Sequence, residues 1–166
     1  FFIDMAEIWE NYLRSILKKH FLQYGWRIRK DVVRTYEGKS FTRVLIPDIV
    51  LEKDDKVMVW DAKYKRMEFD YFDYDRADFF QIHTYINYYN QNKNVIAGGL
   101  LYPLSKKFNI ERQLKNKSNS LFNQKTSTTK YLVDGIDYTN LDVDRIKEEE
   151  LNFLNRITSL QNYNYE

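Results

Sequence analysis

The chain has 166 residues with two prolines, five glycines and no cysteine, which excludes disulfide frameworks, thiolate zinc sites, collagen and Pro/Gly-rich disorder. A compact chain of this length buries about 70% of the surface its unfolded form exposes, so one α/β or α+β domain in a reducing, cytoplasmic setting is expected. The net charge of +2 is unevenly spread, with nine basic and five acidic groups in residues 1–47, six and ten in 48–78, eight and one in 79–133, and three and eight in 134–166.

Phe1-Phe2-Ile3-Asp4 has neither a basic flank nor a long apolar run, so no signal peptide is expected, and the missing initiator methionine suggests a fragment of something longer. Ile8, Trp9, Tyr12, Leu13, Ile16, Leu17 and Phe21 recur at three- and four-residue steps, which predicts a helix of about 20 residues opened by Asp4 and Glu7 and stopped by Gly25. Alternation predicts strands over Trp26 to Val33 and Phe41 to Leu51, separated by a turn at residues 36–40. A polar turn, Glu52 to Lys56, leads to a third strand, Val57 to Lys63, in which Asp61 and Lys63 share a face.

An acidic, aromatic loop from Glu68 to Asp75 precedes a second helix running to about Gln91. Its predicted apolar stripe is Phe79, Ile82, Ile86 and Tyr89; Asp78, Gln81, Tyr85 and Tyr88 are predicted together on another face. Asn94 to Tyr102 reads as a buried strand ended by Pro103, with Gly98-Gly99 explained by close backbone packing. A basic, Asn/Ser-rich surface segment from Ser105 to Thr129, a short strand at Tyr131 to Val133 and a helix from about Asp142 to Leu160, with Ile146, Leu151, Leu154 and Ile157 inward, complete the chain. The longest uncharged stretches, Phe79 to Asn92 and Asn94 to Ser105, are shorter than the ~20 apolar residues of a membrane-spanning helix.

Four polar features sit where packing would favour something else: Glu10, Pro47-Asp48, Asp61-Ala62-Lys63, and Gln81 with Tyr85. Asp48 interrupts the apolar run Val44 to Leu51, and an ionised carboxylate there requires compensation. If the second and third strands pair through the Glu52 to Lys56 turn, Asp48 and Asp61 converge and repel unless a cation lies between them. Lys63 is one candidate cation and a divalent ion held by oxygens is another. His20 and His83 have no metal-ligand spacing and no Ser or Cys partner, and no Gly-rich phosphate loop is present, so triad, zinc and nucleotide-hydrolysing readings fall away.

The order of helical Glu10, Pro47-Asp48, Asp61-Ala62-Lys63 and Gln81-Ile82-His83-Thr84-Tyr85 resembles the PD-(D/E)xK nuclease superfamily. Within it, Ile3-Asp4-Met5-Ala6-Glu7-Ile8-Trp9-Glu10, Pro47-Asp48-Ile49-Val50-Leu51 and Val59-Trp60-Asp61-Ala62-Lys63-Tyr64-Lys65 are most similar to the McrC-type nuclease domain of modification-dependent restriction systems. Glu10 rather than Glu7 takes the helical carboxylate position, because it follows the aromatic residue. The resemblance reaches from Asp4 to about Tyr102.

This resemblance implies a single restriction-endonuclease-like α/β domain, with a central mixed sheet flanked by helices; the core is expected over about residues 3–133, followed by the carboxy-terminal helix over about 142–160. It implies Mg²⁺-dependent hydrolysis of DNA, with Mn²⁺ as a substitute. Glu10, Asp48, Asp61 and the carbonyl of Ala62 would be metal ligands, and Lys63, Gln81 and Tyr85 would act on phosphate or support a ligand. It further implies a GTP-driven AAA+ McrB-like partner engaged through a region absent from this sequence. Lys106, Lys107, Arg112, Lys115 and Lys117, in the basic window, are the candidate DNA contacts. A non-catalytic DNA-binding scaffold of the same fold is the main alternative, and a metal-dependent hydrolase of small molecules is a weaker one.

Overall fold

The computed structural model describes residues 2–40, 42–65, 75–104 and 129–162. Helix α1 spans Met5–Leu22; the Asp4 carboxylate caps it by accepting from the backbone N–H groups of Ala6 and Glu7. Gly25, at φ +81°, supplies the left-handed residue that turns the chain away. The strands follow as β1 (Arg27–Arg29), β2 (Val33–Glu37), β3 (Thr42–Leu45), β4 (Ile49–Lys53) and β5 (Lys56–Ala62). Helix α2 (Arg76–Asn90), β6 (Asn94–Leu104), β7 (Lys130–Asp137), α3 (Val143–Ser159) and a 3-10 turn at Leu160–Asn162 complete the described chain.

Five strands form a mixed sheet in the order β1-β4-β5-β6-β7. β1, β4 and β5 are antiparallel neighbours, whereas β5, β6 and β7 run parallel. Trp9, Leu13, Leu17 and Phe21 of α1 and Phe153, Leu154 and Ile157 of α3 cover one face, against Ile49, Leu51, Met58 and Trp60. The other face packs Val50, Val57, Val59 and Leu100 against Ile82, Tyr85, Ile86 and Tyr89 of α2. The architecture is thus α/β, a mixed sheet with helices on both faces. Among the described residues no helix is long and apolar enough to cross a membrane.

Several predicted elements are redrawn. The strand expected over Trp26 to Val33 stops at Arg29, and that over Phe41 to Leu51 breaks at Ile46-Pro47-Asp48. β2 and β3 instead pair with each other as a separate hairpin, in which Val33 lies opposite Leu45. Pro47 explains the second break, because it brings no N–H to a ladder.

Pro103 does not end β6, which continues to Leu104. Leu101 accepts from the Lys63 N–H on the β5 side, so the proline nitrogen two residues later points to that same side, past the last β5 residue. The missing donor therefore costs no ladder bond. β7 runs eight residues rather than three. In α3, Phe153 is buried and Leu151 exposed, since Leu151 lies five residues past Ile146 and has rotated off the stripe.

Candidate active site

The Pro47 break creates the site. Beyond the Ile49 to Trp60 pair β4 ends, and the Asp48 side chain replaces the missing strand: its Oδ2 accepts the Ala62 N–H at 2.8 Å. Asp48 has the same parity as Val50, and Asp61 the same as Val59, so both carboxylates turn to the α2 face. There the two carboxyl groups meet, and their mutual repulsion favours a proton on Asp48. Burial, the Asp61 contact and, more weakly, the nearby charge of Glu10 push the Asp48 carboxyl up to about 8, against the opposing Ala62 hydrogen bond.

Lys63 closes the other side of the pair. Its ammonium lies 2.7 Å from Asp61 Oδ2, 3.2 Å from Asp78 Oδ1 and 3.2 Å from Gln81 Oε1. Burial works against its charge, but Asp61 and Asp78 more than offset this and hold the group above the ordinary lysine range. Burial and the charges of Asp61 and Asp48 raise the Tyr85 phenol.

The α2 faces differ from the expected ones. Asp78 and Tyr85 turn inward with Ile82 and Tyr89, while Gln81 and Tyr88 are exposed. A one-turn step from Asp78 to Ile82 to Tyr85 follows the buried stripe, so the four polar residues do not form one surface.

Glu10 approaches from the opposite face of the sheet. The indole N–H of Trp9 donates to the Leu101 carbonyl at 3.1 Å and fixes that end of α1 beside the strand ends. Glu10 Oε1 is 3.3 Å from Arg14 Nη2 and 3.7 Å from Lys30 Nζ. Arg14 also donates to the carbonyl of Asp48, so it bridges the helix and the carboxylate pair. Glu10 therefore lies close enough to bias Asp48 but is held by cations of its own.

Whether this set suits a divalent ion can be judged from its donors. Among the described residues no three His, Cys, Asp or Glu side chains gather as a metal-binding group. Asp48 and Asp61 nevertheless provide two hard oxygen ligands forced together, and Ala62 presents its main chain at the same edge. Mg²⁺ commonly takes one or two carboxylates and keeps several waters, so the donors fit that ion.

Asp78, Lys65 and Arg14 are absent from the sequence-derived candidates. Lys65 pairs with Asp78 and lies 3.1 Å from Asp75. Asp78 sits one turn before Gln81, and Arg14 one turn after Glu10, so helical spacing was the available signal. Lys106, Lys107, Arg112, Lys115 and Lys117 lie outside the described residues.

The family model for the McrBC 5-methylcytosine restriction system component matches residues 1–103. The chain belongs to this family. The McrBC match runs from α1 through nearly all of β6 and so contains every residue of the carboxylate and lysine cluster. No curated protein matches the chain. Membership in the McrBC family ties the protein to a restriction system.

Proposed function

We propose that this chain is the DNA-cleaving component of an McrBC-type restriction system, a Mg²⁺-dependent endodeoxyribonuclease of the PD-(D/E)xK kind. The observation that carries the reading is the meeting of Asp48 and Asp61 on one face beside Lys63, at the sheet edge opened by Pro47. Asp48, Asp61 and the Ala62 carbonyl would hold the ion, with Glu10 joining directly or through water. Bound there, Mg²⁺ supplies Lewis acidity toward the scissile phosphate and lowers the pKa of a water. Lys63, kept protonated by its carboxylate neighbours, offsets negative charge growing on the phosphate oxygens. Gln81 accepts from the Lys63 ammonium, and the Gln81 amide N–H and the Tyr85 hydroxyl, one turn apart on α2, would donate to a phosphate.

A GTP-driven McrB-like AAA+ subunit is the proposed partner, DNA the proposed substrate and the cytoplasm the proposed location. A DNA-binding scaffold without catalysis is favoured by one observation, the engagement of Glu10 with Arg14 and Lys30. Nicking of supercoiled plasmid in Mg²⁺ separates the two. Wild type should nick, and Asp61→Ala and Lys63→Ala should each lose activity while keeping their circular dichroism. A Lys63→Ala protein that cuts at the wild-type rate removes the role given to that lysine; an inactive wild type favours the scaffold.

A further inference from the structure

We propose that Asp78 is a positioning residue that receives the Lys63 ammonium when Asp61 turns its carboxylate to a divalent cation. The inference rests on the nuclease reading and adds a residue outside the four polar features that suggested it.

Lys63 occupies the place where a cation would sit on Asp61, 2.7 Å from Oδ2. One carboxylate oxygen cannot serve both an ammonium and a metal ion at full strength, so metal entry must loosen that ion pair. A half-buried ammonium released without another acceptor would be costly. Asp78 removes the difficulty, because its Oδ1 already lies 3.2 Å from Lys63 Nζ. Lys63 can therefore transfer its weight from one carboxylate to the other by a small rotation of its end.

Three features suit Asp78 to this task. Its carboxylate is nearly buried, with 12% side-chain exposure, so the pair is little screened. Its other oxygen is held by Lys65, which fixes the carboxylate and keeps it from following the metal. Capping does not account for it either: Asp75 already accepts from the first N–H groups of α2, at Ala77 and Asp78. Gln81 Oε1, 3.2 Å from Lys63, offers a neutral second acceptor in the same direction.

The test is calorimetric titration of Mn²⁺ into the full chain at fixed pH and ionic strength. Asp78→Asn keeps the shape but loses the charge, leaving Lys63 committed to Asp61, so Mn²⁺ affinity should fall about tenfold, as coupled neighbours do. Asp78→Glu should restore most of it. In a Lys63→Met background the same Asp78→Asn change should shift affinity by less than about twofold, because the residue through which Asp78 acts is gone.

An undiminished tenfold fall in that background would mean that Asp78 acts only as a nearby negative charge, and would overturn the inference. Equal affinity of Asp78→Asn and wild type would overturn it as well, while leaving the nuclease reading intact. If wild type neither binds Mn²⁺ nor nicks plasmid, the nuclease reading fails and takes this inference with it. Circular dichroism accompanies each variant, and Asp78→Ser, a small polar residue suited to a first helical turn, replaces Asp78→Asn should that protein not fold.

Discussion

Asp48 stands where a strand residue would have used its backbone, and it uses its side chain instead. That substitution places a carboxylate against Asp61 in a half-buried position, where the pair is stable only with a proton or a cation between its members. The folded-state pKa of Asp48 lies above its ordinary value, so the folded protein retains a proton that the unfolded chain releases. The stabilising contribution is complete below about pH 4 and is lost as pH climbs through about 8. In EDTA, the wild-type melting temperature should therefore decline between about pH 5 and about pH 9. Asp48→Asn keeps an acceptor for the Ala62 N–H and gains a donor toward Asp61, so its curve should be flatter and should lie above wild type at alkaline pH. Each kcal/mol of repulsion relieved corresponds to about 2–4 °C in a domain of this size. Parallel curves for the two proteins would show that Asp48 does not hold the proton. Saturating Mg²⁺ should reverse the order at alkaline pH, because only wild type gains a full carboxylate for the ion.

At the level of elements, the parallel half of the sheet depends on three glycines, Gly98, Gly99 and Gly135, that bring its backbones together. A Cβ on Gly99 would lie 1.6 Å from the Leu132 carbonyl oxygen, an overlap with main chain that no rotamer change can relieve. Gly99→Ala should cost about 3 kcal/mol or more, read as a lowered urea midpoint with an unchanged slope, if it folds at all. Gly98→Ala meets the Val59 oxygen at 2.8 Å and the movable end of Ile86, and should be the milder of the two. Two alanine variants of equal stability would contradict this account. The packing need at Gly98-Gly99 was legible in the sequence as glycine within an apolar run, and α1, α2 and α3 were legible from spacing and from the caps Asp4, Asp75 and Asp142. The turn between β2 and β3 was legible at residues 36–40, but the separation of that hairpin from β1 and β4 was not, because alternation continues through residues that pair with different partners and Pro47 marks only the division from β4. Asp78 was overlooked because the start of a helix explains an aspartate well enough; its one-turn spacing from Gln81 was the only local sign of its pairing with Lys63, from another element. Asp48 and Asp61 were legible because each breaks an apolar run, which is a local signal for a distant meeting.

Along the chain, an acidic stretch at residues 48–78 lies between basic stretches at 1–47 and 79–133, and the two kinds serve different partners if the chain cuts DNA. Residues 79–133 carry eight basic groups and one acidic group, whereas the carboxylate cluster belongs to residues 48–78, with ten acidic groups and six basic. Ion pairs from Lys106, Lys107, Arg112, Lys115 and Lys117 to phosphates would neutralise backbone charge without reading bases, so affinity should depend on salt and little on sequence. Removing one such ion pair from a duplex complex should shallow the log–log salt slope by about 0.9. Reversing Lys115 and Lys117 to glutamate should therefore weaken binding to unrelated duplexes by a similar factor and reduce the slope by at least about 1.8. Mn²⁺ affinity should be unchanged, because Asp48 and Asp61 are placed by the sheet edge and by Lys63. Fluorescence anisotropy in Ca²⁺, chosen to hold off cleavage, measures affinity and slope together. An unaltered slope in the reversed variant would mean that these lysines only solvate the surface, and that duplex is gripped by other basic residues.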